Sequence, residues 1–164
     1  VIPDAKIVVV LRDPVRRAIS HYYYSRNNNL EKRGFDDAFQ TLEDLAPGPE
    51  SDEISMPPFA YLARGLYQTS IENYKSIFGF SNLHLIVLEN LVAGPVQGVS
   101  QLYEFVGADP DFRPTGFETM TNQSTPVDYL PPDETIERLR SYFRGPNASL
   151  SESFGLDLSL WDNS

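Results

Sequence analysis

The sequence contains no cysteine, only three lysines and two histidines, and no long hydrophobic run. Without cysteine there can be no disulfide and no thiolate metal site, which fits a reducing, cytoplasmic setting. No stretch approaches the ~18 apolar residues of a membrane span, and no signal peptide pattern is present. The three lysines, Lys6, Lys32 and Lys75, stand away from any glycine-rich turn, and no Gly-x-x-x-x-Gly-Lys-Ser/Thr phosphate loop occurs. His21 and His84 have no second ligand at a metal-binding spacing, so no metal is expected. Basic residues are also in deficit. With 13 basic against 23 acidic residues the net charge is −10, which disfavours nucleic acid or a heavily sulfated polysaccharide held on a broad basic surface. A nucleotide remains compatible, because Arg12, Arg16, Arg17 and Arg26 cluster in a short stretch and can form a local positive site.

What is present describes a folded α/β chain. The 164 residues are 41% hydrophobic and 12% aromatic, a globular composition, and are read as a single domain spanning 1–164. Ile7 to Leu11 is a continuous β-branched and aliphatic run, the pattern of a parallel strand covered on both faces. Asp13 follows as a helix cap and Pro14 as the first helical residue, where its missing N–H costs nothing. Val15, Ala18, Ile19 and Tyr22 then recur at helical spacing and should face the sheet. Arg12 therefore stands at the carboxyl end of the strand, where open α/β sheets bind ligands, and Ser20 lies off the buried stripe. A guanidinium fork with a hydroxyl donor suits a terminal phosphate monoester. Arg16 and Arg17 are expected to be exposed or paired with carboxylates.

Further along, the spacing predicts helices over 35–45, 61–78 with an interruption at Gly65, 98–106 stopped by Gly107, and 131–143, with a second strand over 83–88. Residues 46–58 carry four prolines and several acids and read as a long loop, and 109–128 read as an irregular one. Leu150 to Trp161 should dock Phe154, Leu156, Leu158 and Trp161 on the core. Asn122 and Asn147 begin N-glycosylation triplets, a pattern frequent by chance, and neither is expected to be used.

Leu11-Arg-Asp-Pro-Val-Arg-Arg-Ala-Ile-Ser-His-Tyr22 resembles the segment of sulfotransferases that grips the 3′-phosphate of 3′-phosphoadenosine 5′-phosphosulfate (PAPS). Supporting likeness runs through Tyr61-Leu-Ala-Arg-Gly-Leu-Tyr67, Leu83 to Leu88, Leu102-Tyr-Glu-Phe-Val-Gly107, Leu139 to Arg144 with Asn147, and Phe154 to Trp161. The subgroup most resembled is the bacterial sulfotransferase-domain proteins related to heparan-type enzymes. The resemblance implies a P-loop-NTPase-like parallel sheet with flanking helices, and transfer of a sulfuryl group from PAPS to an acceptor hydroxyl or amine on a saccharide or small molecule. It implies that Arg12 and Ser20 bind the 3′-phosphate, and that Arg64, Gly65 and Tyr67 lie near acceptor and cofactor. Asn122, Gln123 and Ser124 are further candidates for such contacts. Glu89, at the end of the second strand, would cap the following helix or orient an arginine.

The family's Lys-Gly-Thr-Thr loop, which holds the 5′-phosphosulfate, has no counterpart here. The expectation is a C-terminal portion of a longer enzyme, with the N-terminal part of the sheet, the 5′ loop and the catalytic base outside this chain. Two other classes fit the same residues: a non-catalytic nucleotide-binding or interaction module of this fold, and a P-loop kinase relative.

Overall fold

The computed structural model describes residues 2, 4–39, 59–115 and 131–162. Strand β1 (Ile7–Leu11) pairs in parallel with β2 (Leu83–Val87), Ile7 opposite Leu83 through Leu11 opposite Val87. Helices α1 (Pro14–Asn27), α2 (Phe35–Phe39) and α3 (Tyr67–Phe78) lie between the two strands in sequence, with a 3-10 turn at Ala63–Gly65. After β2 come α4 (Leu88–Ala93), α5 (Pro95–Val106), α6 (Asp133–Phe154) and α7 (Ser159–Asp162). The parallel pair with helical crossovers makes the fold α/β, as its sequence pattern predicts.

The start of α1 forms as its residue types dictate. Asp13 is the N-cap, its side chain accepting from the Val15 amide at 2.8 Å, and Pro14 takes the first position. Val15, Ala18 and Tyr22 are buried, with Ile19 packed beside them. Gly107 ends α5 with φ 82°, a left-handed conformation that glycine adopts without strain.

Two apolar clusters fill the interior. One gathers Val15, Ala18 and Tyr22 with Phe35, Phe39, Tyr61, Leu62, Leu139 and Phe143; the other joins Leu11, Ile71, Leu83 and Val87 to Leu150, Leu158 and Trp161. Full burial of each large aliphatic or aromatic side chain contributes roughly 1.5–3 kcal/mol. Helix α6 spans both clusters, and this explains its length. Its sequence predicts a stop at Phe143, ahead of Gly145 and Pro146, yet the helix continues to Phe154 because Leu150 and Phe154 extend the stripe begun by Leu139 and Phe143. Packing of that second half outweighs the penalty of an interior proline.

Three other expectations change. Among the described residues β1 is covered on one face and has no strand on its second edge: Leu11 is 1% exposed, whereas Val8 and Val10 are 39% and 54% exposed. In α3 only Ile71 is buried, and Tyr74 and Ile77, apolar positions of the expected helix 61–78, face outward, because the helix touches α6 and β2 along a narrow line. Helix α5 buries none of its residues fully, its main contacts among the described elements being with α4 and β2. The helix that begins at Phe35 is described as far as Phe39; the remainder of the expected segment 35–45, the expected loop over 46–58, and Asn122, Gln123 and Ser124 lie outside the described residues. Asn147 is half-buried in the middle of α6.

Candidate functional site

The carboxyl end of β1 is built by four elements. β1 ends at Leu11 and α1 begins at Pro14, so Arg12 and Asp13 alone make the turn. The carbonyl of Arg12 accepts from the Tyr67 hydroxyl, at the head of α3, at 2.8 Å. The amide of Asp13 donates to Glu89 Oε1, in α4, at 3.1 Å. Glu89 Oε2 in turn accepts from Trp161 Nε1, in α7, at 2.8 Å. The Tyr67 and Trp161 rings close the circuit, their centroids 6.2 Å apart. Glu89 therefore does not cap α4 and makes no ion pair with an arginine among the described residues; its two oxygens accept from the Asp13 amide and the Trp161 indole.

Around this turn the charges are uneven. Burial raises the pKa of Asp13, and the nearby Glu89 carboxylate adds to that, against its bonds to the Val15 and Arg16 amides. Arg16 is half-exposed and sits 3.9 Å from Asp13, as expected. Arg17 departs from expectation. It makes no ion pair among the described residues; its Nη2 donates to the Tyr61 carbonyl and its Nε is buried without a hydrogen bond. Burial lowers its pKa, the Tyr67 hydroxyl opposes that shift, and the charges of Arg64 and Arg12 reinforce it. Its partner, the Tyr61 carbonyl, lies 44 residues further along the chain, where no local helix pattern announces it. Residues three apart on a helix share a side, so Arg17 stands with Ser20.

Arg12 is half-buried, and among the described residues its guanidinium enters no hydrogen bond or ion pair. Ser20 is half-buried on α1. At about 1.5 Å per residue it lies roughly 9 Å along the axis from Pro14, a gap that an arginine side chain and a bound phosphate together can span.

The segment 64–67 divides by role. Arg64 is exposed in the 3-10 turn. Gly65 permits a close approach, but to protein: a Cβ there would come within 2.8 Å of both the Phe143 ring and the Pro14 side chain. Tyr67 spends its hydroxyl proton on the Arg12 carbonyl, so it supports Arg12 from behind. His21 lies edge-on to Tyr61 at 4.8 Å, and His84 stacks on Phe105 at 5.1 Å with its pKa lowered by burial. Among the described residues no group of histidines and carboxylates is gathered that could hold a metal, and no helix is long and apolar enough to cross a membrane.

A family model described as "Sulfotransferase domain" matches residues 1–125. The chain belongs to the sulfotransferase domain family. Within that family it is similar to mouse (Mus musculus) heparan sulfate glucosamine 3-O-sulfotransferase 6, 25% identical over 181 residues, covering 98% of this chain and 50% of the mouse protein. Its fold is similar to the crystal structure of a sulfotransferase from Alicyclobacillus acidocaldarius, with TM-score 0.75 and 29% identity over 98% of this chain and 58% of that one. This sulfotransferase-domain chain thus spans about half the length of the relatives it matches. The likeness covers β1, the Arg12–Asp13 turn and α1, where the site is built.

Proposed function

We propose that the chain carries the nucleotide 3′-phosphate site of an enzyme that moves a sulfuryl group from PAPS to an acceptor hydroxyl or amine, releasing adenosine 3′,5′-bisphosphate. The observation that carries this reading is the state of Arg12. Its peptide is pinned on both sides while its guanidinium, at the carboxyl end of a parallel strand, is left without a protein anion among the described residues. A phosphate dianion fits that fork, and the Ser20 hydroxyl can donate a further hydrogen bond to it. The donor would supply an activated sulfuryl group. The chain's part is to hold the non-reacting end of the nucleotide, and such remote binding contributes to rate by fixing the reacting end in the attack position. Arg64, exposed beside this site, is assigned to the acceptor side, where a saccharide or small molecule would lie. The net charge of −10 favours an acceptor met at this local positive site over a long polyanion spread across the surface.

A thermal-shift comparison of adenosine 3′,5′-bisphosphate, PAPS and Mg-ATP on this chain tests the reading. Stabilisation by the first two without added metal is expected, because a ligand that binds only the folded state raises its stability. Stabilisation by Mg-ATP alone would overturn it in favour of a kinase relative.

A further inference from the structure

We propose that Tyr67, Glu89 and Trp161 form a clamp on the Arg12–Asp13 peptide that aims the Arg12 guanidinium at its anion. The inference rests on the reading of Arg12 as a phosphate ligand and assigns three positioning residues to it. The carbonyl of Arg12 and the amide of Asp13 belong to one planar peptide unit. Tyr67 holds the carbonyl at 2.8 Å and Glu89 holds the amide at 3.1 Å. Two bonds at opposite ends of a rigid plane fix its rotation, and with it the direction in which the Arg12 side chain leaves the backbone. A single bond would leave the plane free to rock.

Trp161 makes Glu89 a fixed post. A glutamate side chain has several rotatable bonds, but here its second oxygen is tied to the Trp161 indole at 2.8 Å. Trp161 is 4% exposed, packed in the same cluster as Leu11 and Tyr67. The clamp therefore draws α3 and α4 onto a two-residue turn, across sequence separations of 55 and 76 residues, and ties α7 to α4 across 72. A binding site gains affinity when its donors are ordered before the ligand arrives.

The test is a double-mutant cycle read by calorimetric titration with adenosine 3′,5′-bisphosphate. Tyr67→Phe keeps the ring against Trp161 and removes the hydroxyl that donates to the Arg12 carbonyl and that also faces Arg17. Trp161→Phe removes the indole donor to Glu89 and keeps a smaller aromatic in the buried cluster, at some cost in packing. Each is expected to weaken binding about 2- to 10-fold, less than loss of the guanidinium itself, because the donor to the ligand remains. In an Arg12→Ala background neither should weaken binding further, since there is then no guanidinium to aim. Equal losses in both backgrounds, or no loss in either, would overturn the clamp. If Arg12→Ala alone leaves affinity unchanged, the phosphate reading of Arg12 fails and the clamp fails with it. Circular dichroism of each variant at the titration temperature identifies any that is unfolded; Glu89→Gln, which loses one of the two bonds to Glu89 and keeps the shape, then repeats the cycle.

Discussion

Glu31 offers a pH-dependent test of how the α1 side of the molecule is held together. Its carboxylate is 4% exposed and accepts five hydrogen bonds: from the Lys32 amide, the Arg33 amide and Arg33 Nε at Oε1, and from Arg33 Nη2 and the Tyr61 hydroxyl at Oε2, all between 2.7 and 3.0 Å. Arg33 first, against the cost of burial, lowers the pKa of Glu31 from 4.5 to about 2. A carboxyl whose pKa falls on folding stabilises the folded state above its unfolded value and loses that contribution as pH drops through the folded one. The window is therefore pH 4.5 down to about 2. The full shift corresponds to about 3 kcal/mol. Arg33 is 41% exposed, so solvent screens the pair, and about 2 kcal/mol is the better figure. In urea denaturation the parent should lose that much more stability than Glu31→Gln between pH 4.5 and 2. Parallel stability curves for the two proteins would refute the reasoning, because every other carboxylate is common to both. The consequence reaches the site: Tyr61, whose hydroxyl Glu31 holds, presents the carbonyl that receives Arg17.

Gly65→Ala should destabilise the fold by about 1–3 kcal/mol, since its Cβ would be forced against Pro14 and the Phe143 ring. A variant as stable as the parent in urea, yet weaker for nucleotide, would make Gly65 a ligand contact instead. Val10→Thr should change stability by less than about 0.5 kcal/mol, whereas Leu11→Ala, one residue on, should cost about 2–5 kcal/mol. Comparable losses for both by thermal denaturation would contradict one-sided burial of β1.

Much of the site's frame is written locally in the sequence. The Ile7–Leu11 run, the Asp13 cap, Pro14 and the stripe from Val15 to Tyr22 each act on neighbours a few residues away, and all formed as their chemistry dictates. The end of α5 at Gly107 was legible for the same reason. What local pattern could not supply were the partners brought from far along the chain. Nothing near Glu89 announces that its two oxygens will meet Asp13 and Trp161, and nothing near Tyr67 names the Arg12 carbonyl. Nothing local to α1 announces that the Arg17 guanidinium will donate to the Tyr61 carbonyl, 44 residues on. Helix α6 outran its glycine and proline because two clusters, not one, receive its apolar face. The apolar run of β1 is buried at Leu11 and exposed at Val8 and Val10, so the described residues do not supply the cover of its second face.

The central claim is that Arg12 holds the 3′-phosphate of a nucleotide, and calorimetric titration of adenosine 3′,5′-bisphosphate against the parent chain and Arg12→Ala tests it most directly. Loss of a charged hydrogen-bonding group should weaken binding by about 1.5–3 kcal/mol, or about 10- to 150-fold, with the fold intact by circular dichroism. Equal affinity for the two proteins would contradict the assignment.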